Sequence, residues 1–93
     1  MNETNEKYSW NSEKRDANIT GRGLDFVALA DLIFSDPNAV VMPDDRNDYG
    51  EDRFLAYGVV GELRLCLCFT FREDKTHLIK IFRVNKKKLE ETL

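Results

Sequence analysis

Histidine occurs once in this sequence of 93 residues, cysteine and proline twice each, and no apolar run approaches the about 20 residues of a membrane helix. A zinc site built on Cys66 and Cys68 would want two more ligands at usual spacings, and the only histidine is His77, so no metal and no cofactor are expected. The cysteines stand two apart in LRLCLCF, which on a strand gives them one face and too short a chain between them for an unstrained disulfide. They are expected to be reduced and to pack in a core layer. The start, MNETNEKYSW, has no basic-then-apolar layout of a secretory leader, and the expectation is a cytoplasmic protein without membrane contact. The length suits a single domain over residues 1–93, with residues 1–7 read as a flexible N-terminal extension.

What is present is an ordinary folding composition with an uneven charge. Hydrophobic residues make up 42%, including six Phe, three Tyr and one Trp, enough for one core. Residues 1–52 hold twelve Asp and Glu against five Lys and Arg, a net of -7, while residues 53–93 hold five against nine, a net of +4. Such a basic half reads either as a polyanion-binding surface or as a solvated sheet edge with a lysine-rich helix.

Local signals divide the chain. KYSW is a short strand candidate, and Asn11 is placed to cap a helix over 12–20 that ends at the glycines of GRG. Asp25 caps a second helix to Phe34, with Phe26, Leu29, Ala30, Ile33 and Phe34 spaced as one apolar stripe, stopped by Pro37 in SDPN. AVVM, RFLAYGVV, ELRLCLCFTF and HLIKIFRV then read as strands, with a tight turn at Gly61-Glu62. NKKKLEETL reads as a short helix capped by Asn85 and anchored only by Leu89 and Leu93. The order argues an α+β fold: two N-terminal helices on one face of a mostly antiparallel sheet of four to five strands, closed by a short C-terminal helix.

Alternation along the strands assigns their faces. Leu63, Leu65, Leu67, Phe69 and Phe71 take the core side, leaving Arg64, Cys66, Cys68, Thr70 and Arg72 opposite. Phe54 and Ala56 match the core side, so Arg53, Leu55 and Tyr57 join the arginines. In HLIKIFR both parities are apolar, and the cost of burying an ammonium places Lys80 outward with His77, Ile79 and Ile81 inward. The open face then carries Arg53, Arg64, Arg72, Lys80 and Tyr57, a surface suited to phosphate.

The succession YSWN, KRDAN, GRG, FSDP, DRNDYGEDRFLAYG, FTFR and IKIFR resembles the BrnT family of bacterial toxins from about Tyr8 to Leu89. The most specific part is the pattern Asp-x-Arg-x-x-Tyr-Gly-Glu-x-Arg, with Asp44 or Asp45, Arg46, Tyr49, Gly50, Glu51 and Arg53. The resemblance implies a RelE-like ribonuclease that inhibits translation, is neutralised by a BrnA-type antitoxin, and meets operator DNA only through that antitoxin. Two places depart from the family pattern. Gly21-Arg22-Gly23 stands where Lys-His-Gly is usual, and Arg83 and Asn85 stand at the usual Ser and final Arg of the last strand.

RNA cleavage by its own 2′-hydroxyl needs a proton acceptor, cations for the charge on the phosphorane and a proton for the leaving oxygen, without a metal. The resemblance and the open face together nominate Arg53, Arg72, Arg83 and Lys80 as cations, and Glu51, Tyr57 or Lys80 for proton transfer. Each also has a plain reading. Arg53 with Glu51 can pin a turn, Tyr49-Gly50 can serve only as a turn, and His77 reads as a capping or structural side chain. Besides the ribonuclease toxin, a toxin-like fold without catalysis that binds an antitoxin and acts as co-repressor stays open, as does an unrelated binding module.

Overall fold

Asn11 and Asp25, both in extended backbone, accept hydrogen bonds from the N–H groups of Lys14 and Val27 and so begin α1 (Ser12–Arg22) and α2 (Phe26–Phe34). Gly23, at φ 70°, closes α1 by returning its N–H to the Ile19 carbonyl. Arg15 grips the Asp25 carboxylate with two hydrogen bonds of 3.0 and 2.7 Å, tying the body of α1 to the start of α2. The strands are β1 (Asn2–Thr4), β2 (Tyr8–Asn11), β3 (Val40–Asp44), β4 (Arg53–Val60), β5 (Leu63–Arg72) and β6 (Lys75–Arg83), followed by α3 (Lys86–Thr92). This computed structural model describes residues 1–92.

The six strands form one sheet in the order β1-β2-β6-β5-β4-β3. Two features correct the expected four- to five-stranded sheet behind two leading helices. Strands β1 and β2 precede the helices, and the sheet is mixed because β2 runs parallel to β6. The stretch read as a flexible extension contributes β1, which pairs antiparallel with β2; Asn5 makes the turn between them by accepting from the N–H groups of Lys7 and Tyr8. β1 carries the polar triplet NET, exposed throughout, so no apolar alternation announces it. The β2–β6 pairing joins Ser9 to His77 across most of the chain, a contact that local propensity does not encode.

The sheet is covered on both faces. Phe26, Ala30 and Ile33 of α2, one stripe at four- and three-residue spacing, pack with Tyr8, Trp10, Leu65, Leu67, Leu78 and Ile81. On the other face Leu89 of α3 closes a second cluster with Leu55, Tyr57, Cys66 and Cys68. Leu93, expected as a further anchor of α3, lies outside the described residues. Six consecutive residues of β5, Leu65 to Thr70, are therefore buried. Tyr57, expected on the open face, is 4% exposed, and Phe71, expected in the core, is 64% exposed.

A bulge rearranges the faces of β6. Cys68 lies opposite Lys80 but Phe69 lies opposite Leu78, so Ile79 is an extra residue on β6. His77, paired with Thr70, and Lys80, paired with Cys68, consequently share the face turned away from α2, while Leu78 and Ile81 join the helix-side core. The inward placement of His77 and Ile79 is corrected by this one residue. At the turn from β5 into β6, Glu73 and Asp74 both take positive φ, at 50° and 68°, the geometry of a two-residue hairpin that Gly or Asn usually supplies.

Candidate functional site

Because α3 covers only part of the second face, the rest stays open between α1 and the loop leading into β4. Asn18 is what brings α1 there. Where β2 stops pairing, the Asn18 amide donates to the Ile81 and Leu24 carbonyls at 3.0 and 3.1 Å and accepts from the Ile81 N–H at 2.9 Å, standing in for a strand partner at the sheet edge. The next turns of α1 then present Lys14 and Arg22 over the opening.

The opening is a cavity of about 500 Å³, floored by Cys68, Ile79 and Lys80 and walled by α1 and by Asp44, Arg46, Tyr49 and Arg53. Five cations (Lys14, Arg22, Arg46, Arg53 and Lys80) line it against the single carboxylate of Asp44. That carboxylate is already matched: Arg46 holds it with two bonds of 2.8 Å and the Tyr49 hydroxyl donates to it at 3.2 Å. The Arg46 guanidinium keeps the Asp44 carboxyl ionised, its pKa held down at about 2. The field inside is thus strongly positive although the whole chain is acidic.

Beside the cavity runs a continuous chain of polar contacts. Arg72 forks onto Glu51, with its Nε 3.1 Å from Oε1 and its Nη2 2.8 Å from Oε2, and Glu51 Oε2 also accepts from Arg53 Nε at 3.1 Å. The Arg53 guanidinium lies 4.2 Å over the Tyr49 ring. Among the described residues Arg53 donates only its Nε–H, leaving its terminal amino groups for a ligand. In the other direction Arg72 Nη1 is 3.1 Å from His77 Nε2, and His77 Nδ1 is 2.9 Å from Ser9 Oγ. The Tyr49-Gly50 turn, with Gly50 at φ 72°, brings Glu51 into this contact.

Of the six residues nominated from sequence, Glu51 bonds both Arg53 and Arg72, and Lys80 lines the same cavity as Arg53. Arg83 points elsewhere: on the other parity, opposite Leu65, it donates to the Arg22 carbonyl at 2.8 Å and secures the end of α1. Tyr57 is inside the second core, where burial pushes its phenol pKa up, the reverse of the acidification a proton carrier needs. Glu51 is held below the usual carboxylate range, first by Arg72, which makes it an orienting anion and a poor proton acceptor. His77, Ser9, Lys14 and Arg46 carry no nomination from sequence. The bulge hides the first, nothing in an isolated serine or a helix lysine marks Ser9 or Lys14, and Arg46 was legible only as part of the Asp-x-Arg-x-x-Tyr-Gly-Glu-x-Arg pattern, without a role.

His77 is 6% exposed, and burial, then the charge of Arg72, hold its pKa below the ordinary 6.5. The unfolded chain therefore takes up this proton at a higher pH than the folded one. Stability is expected to fall as pH drops below about 6.5, ahead of the loss that follows when carboxylates with ordinary values of 3.8 and 4.5 are titrated. Urea titrations at stepped pH check this: a positive slope of stability against pH above the carboxylate range is expected, and a flat or negative slope there would contradict it.

A cationic pocket beside a forked arginine on a small mixed sheet is suited by charge and geometry to phosphate-bearing ligands. The family comparison gives the chain its identity: residues 10–88 match the ribonuclease toxin, BrnT, of type II toxin-antitoxin systems, and the chain belongs to this family. It is thereby a ribonuclease toxin, with RNA as target and an antitoxin as partner. No curated protein and no solved structure matches the chain. No helix among the described residues is long and apolar enough to cross a membrane.

Proposed function

We propose that this chain shuts down translation by cutting RNA on the open face, with the scissile phosphate held between Arg53, Arg72 and Lys80. The observation that carries the reading is the Arg72–Glu51–Arg53 bridge beside a cavity in which cations outnumber carboxylates five to one. As the 2′-oxygen attacks, negative charge grows on the non-bridging phosphate oxygens. Guanidinium forks already fixed by Glu51 meet that charge with little reorganisation. Lys80 adds a point charge from the cavity floor. Arg83 and Tyr57 are left outside this arrangement by their positions.

The neutralising partner is proposed to be a BrnA-like antitoxin, with operator DNA contacted only through it. Asp45, Asp48 and Asp52 on the loop beside the cavity offer a basic partner a landing surface next to the site and would discourage indiscriminate RNA binding. A second reading draws on the two departures from the family pattern. Arg83 is committed to the end of α1, and Asn85 accepts from the Lys88 N–H as the cap of α3, so neither is aimed at the cavity. In that reading the chain binds its antitoxin and represses without cutting RNA.

Expression from a tightly repressed promoter in bacteria, with and without the neighbouring gene, separates the two. Growth arrest with RNA loss, relieved by the neighbour, is expected. Unhindered growth with soluble protein that still binds the neighbour's product would establish the second reading instead.

A further inference from the structure

A guanidinium has only donors, so the contact between Arg72 Nη1 and His77 Nε2 at 3.1 Å requires a bare lone pair on Nε2. The ring proton then sits on Nδ1 and is donated to Ser9 Oγ, 2.9 Å away on the neighbouring strand β2. His77 is buried, so the neutral Nδ1–H form is also the one its surroundings favour. Ser9, as an acceptor from His77, gains no nucleophilic activation from it.

We propose that His77, held in its Nδ1–H tautomer with Ser9 as the acceptor, is a positioning residue that clamps Arg72 into its fork on Glu51, and that protonation of the ring releases Arg72 and turns the site off in acid. Protonation would place an N–H on Nε2 against an Arg72 N–H, replacing a hydrogen bond with a repulsion. The charged groups around the ring act in both senses, with more cations than anions close to it. Arg72, Arg53 and Lys14 oppose its protonation, Glu51 favours it, and Glu73 and Lys75 at the turn into β6 line the small cavity on its far side. From β1 and β2 the ring meets only the uncharged Asn2, Thr4 and Ser9 in that cavity. The activity readout rests on the ribonuclease reading; the tautomer and the clamp do not.

The test uses the purified full chain. In RNA-oligonucleotide cleavage, His77→Ala is expected to lower kcat about tenfold with KM within about threefold, as misorientation of one transition-state donor does. Because His77 acts through Arg72, His77→Ala with Arg72→Ala is expected to be no worse than Arg72→Ala alone. His77→Gln, whose Oε1 can accept from Arg72 but cannot titrate, is expected to recover most of the loss and to flatten the acid limb of the pH–rate profile. Multiplicative effects in the double variant, or an acid limb unchanged in His77→Gln, would overturn the proposal. In parallel, ¹⁵N resonances of the wild-type ring and of the Arg72 side chain are followed against pH. A bare Nε2 at neutral pH, with Arg72 loosening as the ring protonates, is expected; a proton on Nε2 at neutral pH would overturn it. If the wild type cleaves no RNA at any pH, the ribonuclease reading falls, and the ring tautomer and the loosening of Arg72 alone decide the clamp.

Discussion

Replacing Arg72 or Arg53 with alanine is expected to reduce kcat/KM for RNA cleavage by about 10²–10³-fold, the usual loss when one preorganised donor to a developing oxyanion is removed. The two guanidiniums share the Glu51 carboxylate, so each substitution also leaves the other less firmly aimed. Arg72→Lys is expected to recover little, because an ammonium cannot keep the fork on Glu51, the bond to His77 Nε2 and a contact to phosphate together. Folding is expected to survive. Arg72 is 43% exposed at its side chain, and ion pairs so placed contribute about 0–1 kcal/mol. Thermal melts beside the kinetics make the distinction: loss of activity with an unchanged melting temperature assigns these arginines to the reaction. Unaltered cleavage in both variants would remove them from it.

The second large effect concerns folding. Asn18 is 6% exposed and its amide satisfies the Ile81 N–H, the Ile81 carbonyl and the Leu24 carbonyl. Asn18→Leu keeps the branching and the number of side-chain heavy atoms but strands all three groups away from water, each at about 1–3 kcal/mol, so a loss of about 3–5 kcal/mol is expected. In a domain of this size that removes much of a typical 5–15 kcal/mol and lowers the melting temperature by roughly 15 °C or more. Denaturant unfolding reads it directly. A change within about 0.5 kcal/mol would mean that α1 is held to the β6 edge by other contacts.

Physical reasons separate what could be read in the sequence from what could not. Asn11, Asp25 and Gly23 bound their helices through interactions made within three or four residues, and such signals survive in a linear reading. The stripe Phe26, Ala30 and Ile33 is legible for the same reason. The parallel seam between β2 and β6 is stabilised by rings of Tyr8 and Trp10 that find their core partners only after the whole sheet is assembled. Strict alternation failed at two points. The second face of β5 and β4 is buried under Leu89, which moved Tyr57 from the candidate site into a core. The bulge at Ile79 turned His77 from the inward side to the side of Arg72, and alternation has no means of announcing an inserted residue.

At the site itself, the Tyr49-Gly50-Glu51-x-Arg53 run was legible because its spacing places carboxylate and guanidinium two residues apart at the start of a strand, and the structure pairs them. The partners that complete the arrangement come from three other elements: Arg72 from β5, His77 from β6 and Ser9 from β2. The acidic overall charge also misleads in one dimension. Asp44, the one carboxylate on the cavity wall, is neutralised by Arg46, while Asp45 and Asp48 line a second cavity with Asp44 and leave the first to the cations.

The most direct test is incubation of the purified chain, free of antitoxin and in the presence of EDTA, with a single-stranded RNA and with the same strand methylated at every 2′-oxygen, followed by mapping of the product ends. Cleavage of the first alone, leaving 2′,3′-cyclic phosphates, is the result expected if the cationic face acts on the RNA's own hydroxyl. No cleavage of either strand, or cleavage that persists after 2′-methylation, would contradict it.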